Sequence, residues 1–169
     1  MLSFISMGVW VAQGIMAIVV LGLTVDLIMG QEAGNSRHAP TTTRYGTFTG
    51  GFGLAIAILG LGSVFIEAIP ALIVLAADAL SGLLLLGGGI AFAIGLHGVT
   101  CTPRNQSDAD RLQKNPLLNG GVDILARCRK AKTVQSMQFV TFGLVLATIV
   151  LLFLAWKNSR SAGRGSSYA

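Results

Sequence analysis

Four uncharged runs constrain this chain more than any other feature. No Asp, Glu, Lys, Arg or His falls within residues 1–25, 45–66, 79–96 or 133–156. Each run has about the 17–25 residues that a helix rising 1.5 Å per residue needs to cross a bilayer core. Only 11% of the 169 residues are charged, against about 25% in a soluble domain. The expectation is an all-α membrane protein, a four-transmembrane-helix bundle over residues 1–156 with both termini on the same side. Its helices should run over about 2–29, 47–68, 70–96 and 133–156, with a disordered basic tail over 157–169. The first run is too long for a cleaved signal peptide and has no basic stretch before it, so it reads as a retained helix.

The net charge of +5 does not point to nucleic acid. No folded polar domain is left to carry a basic surface, and the aromatics lie within the apolar runs. Loop solubility and membrane-surface electrostatics account for these charges. Gln31 to Gly46 carries turn signals and no period, and reads as a polar loop. Gly98 to Lys132 is the longest loop, broken by Pro103, Pro116 and Asn119-Gly120-Gly121.

The second helix holds Gly50, Gly51, Gly53, Gly60 and Gly62. Lipid offers no hydrophobic drive between helices, so small residues that let backbones approach are used for packing. Gly53, Ala57 and Gly60 form one such candidate surface. Gly87, Ala91 and Gly95, spaced by four in the third helix, form another. Each is a helix-packing face or a slot for a sterol or sphingolipid. Gly-Gly-Phe-Gly is not a phosphate loop, since no strand precedes it and no Lys-Ser/Thr follows.

Asp78 is the one carboxylate inside an apolar span. A charge near a helix centre costs about 2.5–3.5 kcal/mol on insertion scales. It lies eight residues past Pro70, roughly 12 Å into the membrane, and Gln13 lies at a similar depth in the first helix. Both should face the bundle and hydrogen-bond to each other, as a latch that fixes register. An ion or proton site is the alternative. Glu67 and Lys157, at the ends of the second and fourth helices, could pair at the interface, contributing about 0–1 kcal/mol. Asn105-Gln106-Ser107 is a glycosylation sequon. Cys101 and Cys128 should form a disulfide if their loop faces an oxidising compartment and stay free thiols if it faces the cytosol. The two histidines and two cysteines lack metal-ligand spacing, and no nucleophile, base and orienting acid lie in a recognisable pattern. No enzyme activity, cofactor or metal is therefore expected.

The ordered motifs Phe65-Ile66-Glu67, Pro70, Asp78 with Leu80, Gly95 with the Cys101 segment, and Arg127-Cys128-Arg129-Lys130-Ala131 resemble a known pattern. With the short link between the second and third helices, they look like a MARVEL-domain tetraspan. They are most similar to the fungal non-classical export protein family of eisosome-associated tetraspans. The resemblance covers about residues 46–152. The first helix adds only hydropathy, and residues 102–121 are too divergent to compare. It implies a plasma-membrane protein with cytosolic termini that organises a furrow-like microdomain and responds to sphingolipid. Its partners would be membrane lipids, other membrane proteins or further copies of itself. It implies that loops 30–46 and 98–132 are extracellular, against the positive-inside count. That would let Cys101 and Cys128 close a disulfide and Asn105 carry a glycan. Two other roles fit the residues: a transporter, channel or accessory subunit using Asp78, and a structural subunit of a larger membrane enzyme.

Overall fold

In the computed structural model the described residues are 2–33, 39–65, 71–118 and 123–164. They form α1 (Leu2–Ala33), α2 (Thr41–Phe65), α3 (Ala71–Gly95), α4 (Gln106–Lys114) and α5 (Ile124–Arg164). Four of these, α1, α2, α3 and α5, are long and apolar enough to span a membrane. They run up, down, up and down, so the start of α1 and the end of α5 lie at the same end of the bundle. Around the bundle the order is α1, α2, α3, α5 and back to α1. Thus α1 stands diagonally opposite α3, and α2 opposite α5.

Each span turns one narrow stripe inward. On α1 the buried residues are Trp10, Gln13, Ala17, Val20, Thr24, Leu27 and Gln31. On α5 they are Arg127, Cys128, Ala131, Val134, Gln138, Thr141, Val145 and Thr148. Cys128 apart, the spacing alternates three and four. This is the seam of a left-handed bundle, in which a residue returns to the same face every 3.5 positions.

Several boundaries depart from the sequence expectation. The segment 31–46 is not all loop, because α1 runs to Ala33 and α2 begins at Thr41. Pro40 starts α2, with its carbonyl accepting from the N–H of Thr43 (3.0 Å) and Arg44 (3.2 Å). Residues 98–132 contain the whole of α4 and the first turns of α5. The backbone is helical as far as Arg164, whereas the sequence reading begins a tail at 157. For the first turns of α5 the physical reason is helix propensity. Lys, Arg, Gln and Ala are good helix formers, so a charge ends an apolar run without ending the helix. Among residues 124–164 there is no proline. Pro70, the expected start of the third helix, and Glu67 lie outside the described residues, as does the side chain of Lys157.

A cap closes the loop end of the bundle. Leu112 from α4, with Leu117, Leu118, Val99 and Cys128, continues the core formed by Val20, Leu27, Phe92 and Leu96. Asn115 holds this cap down. Its Nδ2 donates to the Gly95 carbonyl at 2.8 Å, and its Oδ1 accepts from the Leu117 N–H at 2.9 Å.

Candidate functional site: the polar centre of the bundle

The interior of the bundle is polar at intervals, and its exterior is apolar. Close packing sets this up. A Cβ on Gly50 would stand 2.9 Å from the Leu21 backbone nitrogen, and one on Gly60 would stand 2.8 Å from the Trp10 indole. Between them a Cβ on Gly53 would lie 3.7 Å from Ala17 Cβ, while Ala57 meets Gly14. The small face of α2 therefore lies against α1.

The second small-residue stripe is partly covered from within the bundle, with Gly87 itself exposed and Gly95 half-buried. The Tyr45 hydroxyl stands 3.3 Å from a Cβ placed on Gly87, and Leu117 Cδ1 occupies the space beside Gly95. Tyr45 also donates to the Leu84 carbonyl at 3.2 Å. Ala91, between the two glycines, is half-buried. At its two ends this face meets Tyr45 from α2 and Leu117 from the cap.

Two pairs of polar side chains face each other across the bundle diagonals. On the α2–α5 diagonal, Gln138 Nε2 donates to Thr49 Oγ1 at 3.2 Å, with both residues buried. Gly88 makes room for it, since a Cβ there would meet Gln138 Nε2 at 2.7 Å. On the α1–α3 diagonal, Gln13 and Asp78 are buried and line one small cavity with Ser81, Thr141, Gly53 and Ala17. The Gln13 amide faces the Asp78 carboxyl group. Its Nε2, however, has no partner in hydrogen-bond geometry. Asp78 thus points into the bundle and interacts with Gln13, as the sequence leads one to expect, but the Gln13 Nε2 contact falls outside full hydrogen-bond geometry. The two groups approach from diagonal helices, and both line the cavity.

Other interior hydroxyls need no partner from another helix. Thr24, Thr141 and Thr148 donate to carbonyls of their own helix at 2.7–3.0 Å. This back-bonding satisfies a hydroxyl where lipid cannot.

At the loop end, three cross-links were not foreseen from the sequence. Arg127 Nη2 donates to the Leu27 carbonyl at 2.7 Å. Gln31 Nε2 donates to the Leu117 carbonyl at 2.7 Å. Lys130 pairs with Asp26 at 2.7 Å. The cation at the carbonyl-rich end of α1 also opposes the negative pole of that helix. The available signal was Asp26 at the very end of an uncharged run, one helix end away from the Arg127–Lys132 cluster. Cys101 and Cys128 form a disulfide with a Cα separation of 5.5 Å, tying the segment after α3 to the first turns of α5. Asn105 is exposed and caps α4 through its backbone, with no side-chain capping bond.

The outward faces carry large aliphatics. Ile15 and Ile18 on α1, Ile58 and Leu59 on α2, Ile73, Leu83 and Ile94 on α3, and Val140 and Val150 on α5 are all exposed. Among the described residues no group of three or more His, Cys, Asp and Glu could hold a metal ion.

An apolar belt around a small-residue and polar core defines an integral membrane protein of the four-span class. The chain matches the MARVEL membrane-associating domain over residues 3–151, and it belongs to that family. Searches of curated proteins and of solved structures found no match.

Proposed function

We propose that this tetraspan organises a lateral microdomain of the plasma membrane, eisosome-like in character, that responds to sphingolipid and involves no enzymatic step. The observation that carries this reading is the distribution of side chains. All four spans present aliphatic residues to the outside, in a family described as membrane-associating. Such a surface offers packing for acyl chains, neighbouring membrane proteins or further copies of the chain. The loops at 30–46 and 98–132 face the extracellular side and the termini face the cytosol. The Cys101–Cys128 disulfide supports that orientation, because disulfides persist in oxidising compartments. The test is imaging of the protein tagged at its C-terminal end, before and after acute sphingolipid depletion. Patches that disperse or relocate are expected. An even distribution indifferent to depletion would sink the reading.

The buried carboxyl of Asp78, which lines one cavity with Gln13, is the specific observation that favours a second reading, a transporter or channel subunit. On that reading Asp78→Asn abolishes flux in a protein that remains folded. On the latch reading Asp78→Asn is mild, because an amide keeps the hydrogen-bonding capacity of the site.

A further inference from the structure

The microdomain role makes no use of the α1–α3 diagonal. We infer that the cavity at the bundle centre binds a single water molecule, which bridges Gln13 on α1 to Asp78 on α3. The water fastens together two helices that stand opposite each other across the bundle.

The cavity has a volume of about 10 Å³, close to the minimum of about 10–15 Å³ that one water needs. It is walled by residues from all four spans, with Gly53 from α2 and Val145 from α5 among them. A buried water also needs two to four polar partners. Gln13 Nε2 is a buried donor without a protein acceptor. Asp78 supplies a buried acceptor that lines the same cavity. The Ser81 and Thr141 hydroxyls line the same space, and Thr141 has already committed its proton to the Met137 carbonyl at 2.7 Å, so it offers lone pairs.

The donor decides the chemistry of the ligand. Whatever sits beside Gln13 Nε2 must accept a hydrogen bond, and whatever sits beside a carboxylate must donate one. Water does both at once. A metal ion cannot accept the amide N–H. An organic ligand does not fit the volume. The contrast with the other diagonal is consistent with this. Gln138 and Thr49 meet directly at 3.2 Å, and that pair needs no bridge.

Gly53 gives a test in which the sign of the effect decides. A methyl there would stand 3.7 Å from Ala17 Cβ and 3.8 Å from Ser81 Oγ, which is ordinary contact. Gly53→Ala therefore fits sterically and takes space from the cavity. The full chain would be reconstituted in lipid nanodiscs and its Tm measured with and without the substitution. The same pair would be compared in a Gln13→Leu/Asp78→Leu background, where no polar group needs a bridge. The bridging water leads us to expect a fall in Tm on the order of 5 °C in the native background, and a neutral or raised Tm in the apolar one. A rise in both backgrounds would mean a dry cavity, and an equal fall in both would mean simple crowding. Either result overturns the inference. So does a native Tm that drops when sodium is replaced by choline at constant ionic strength, because a cation would then hold the site. Should the double variant not fold, the native protein still decides the matter. A nanodisc structure that resolves ordered waters is expected to show one within hydrogen-bond distance of both Gln13 Nε2 and the Asp78 carboxylate. A well-ordered map without it overturns the proposal.

Discussion

Gly50 and Gly51 are neighbours in α2, and their replacement should have opposite consequences. A Cβ on Gly50 would lie 2.9 Å from the Leu21 backbone nitrogen and 3.1 Å from Leu21 Cα. Backbone atoms cannot rotate aside, so α1 and α2 must separate by about 0.5 Å to restore ordinary contact. A radial gap of that size forfeits a quarter or more of the dispersion well for each atom pair it opens. The affected pairs lie along the most extensive helix interface in the bundle. Overpacking of this kind costs about 1–3 kcal/mol, partly offset by up to about 1 kcal/mol from the better helix propensity of alanine. The net expectation for Gly50→Ala is a loss of about 1–2 kcal/mol. In a protein of this size that is a Tm fall of roughly 2–8 °C. A Cβ on Gly51 meets nothing within 4 Å, so Gly51→Ala keeps the propensity term alone and should be neutral or slightly stabilising. Thermal unfolding of both variants in the same nanodisc lipid checks the pair. Equal Tm changes for the two would refute the packing argument, because a propensity effect alone does not distinguish adjacent positions of one helix.

Reducing the Cys101–Cys128 bond, which has a sequence separation of 27, should cost about 3–4 kcal/mol in the chain-entropy account. The check is a Tm that falls with reductant in the native protein and is insensitive to it in Cys101→Ser/Cys128→Ser. Arg127→Met should cost about 1.5–3 kcal/mol, the worth of a hydrogen bond from a charged group, because its partner is the buried Leu27 carbonyl. Lys130→Ala removes only the solvent-facing pair with Asp26, in which both side chains are more than a third exposed, and should cost about 0–1 kcal/mol. Chemical denaturation in detergent ranks the two, and a larger loss for Lys130→Ala would contradict the clamp. Asn105→Gln should raise electrophoretic mobility by the mass of one glycan when the protein is made in a glycosylating cell. Unchanged mobility would count against an extracellular placement of residues 98–132.

The sequence was informative about membrane spans and much less so about interior contacts. Uncharged runs name four spans because the penalty for burying charge in lipid is large and local. They do not name helix ends. Asp26, Gln31 and Arg127 to Lys132 all lie within helices, beyond the apolar runs, because leaving the membrane is a change of solvent and not a change of backbone. The disulfide illustrates the same separation. Two cysteines bracketing a loop fit either redox state, and their pairing rests on the path of the chain between α3 and α5.

The inward stripes were harder to read, for a reason specific to lipid. In water an amphipathic helix shows its buried face as the apolar one. In this bundle both faces are apolar, and the buried face is marked by small and polar residues. Gln13, Ala17, Thr24 and Gln31 on α1 recur at the same three-and-four spacing as Arg127, Gln138, Thr141 and Thr148 on α5. That pattern is present in the sequence, but it becomes visible only when polarity, and not hydrophobicity, is treated as the sign of burial. Pairing Gln13 with Asp78 used this logic at one position and placed both residues inside. Their meeting at one cavity follows from something no single helix encodes. It is the ring order of the spans that makes α1 and α3 diagonal and brings Gln13 and Asp78 to one central cavity.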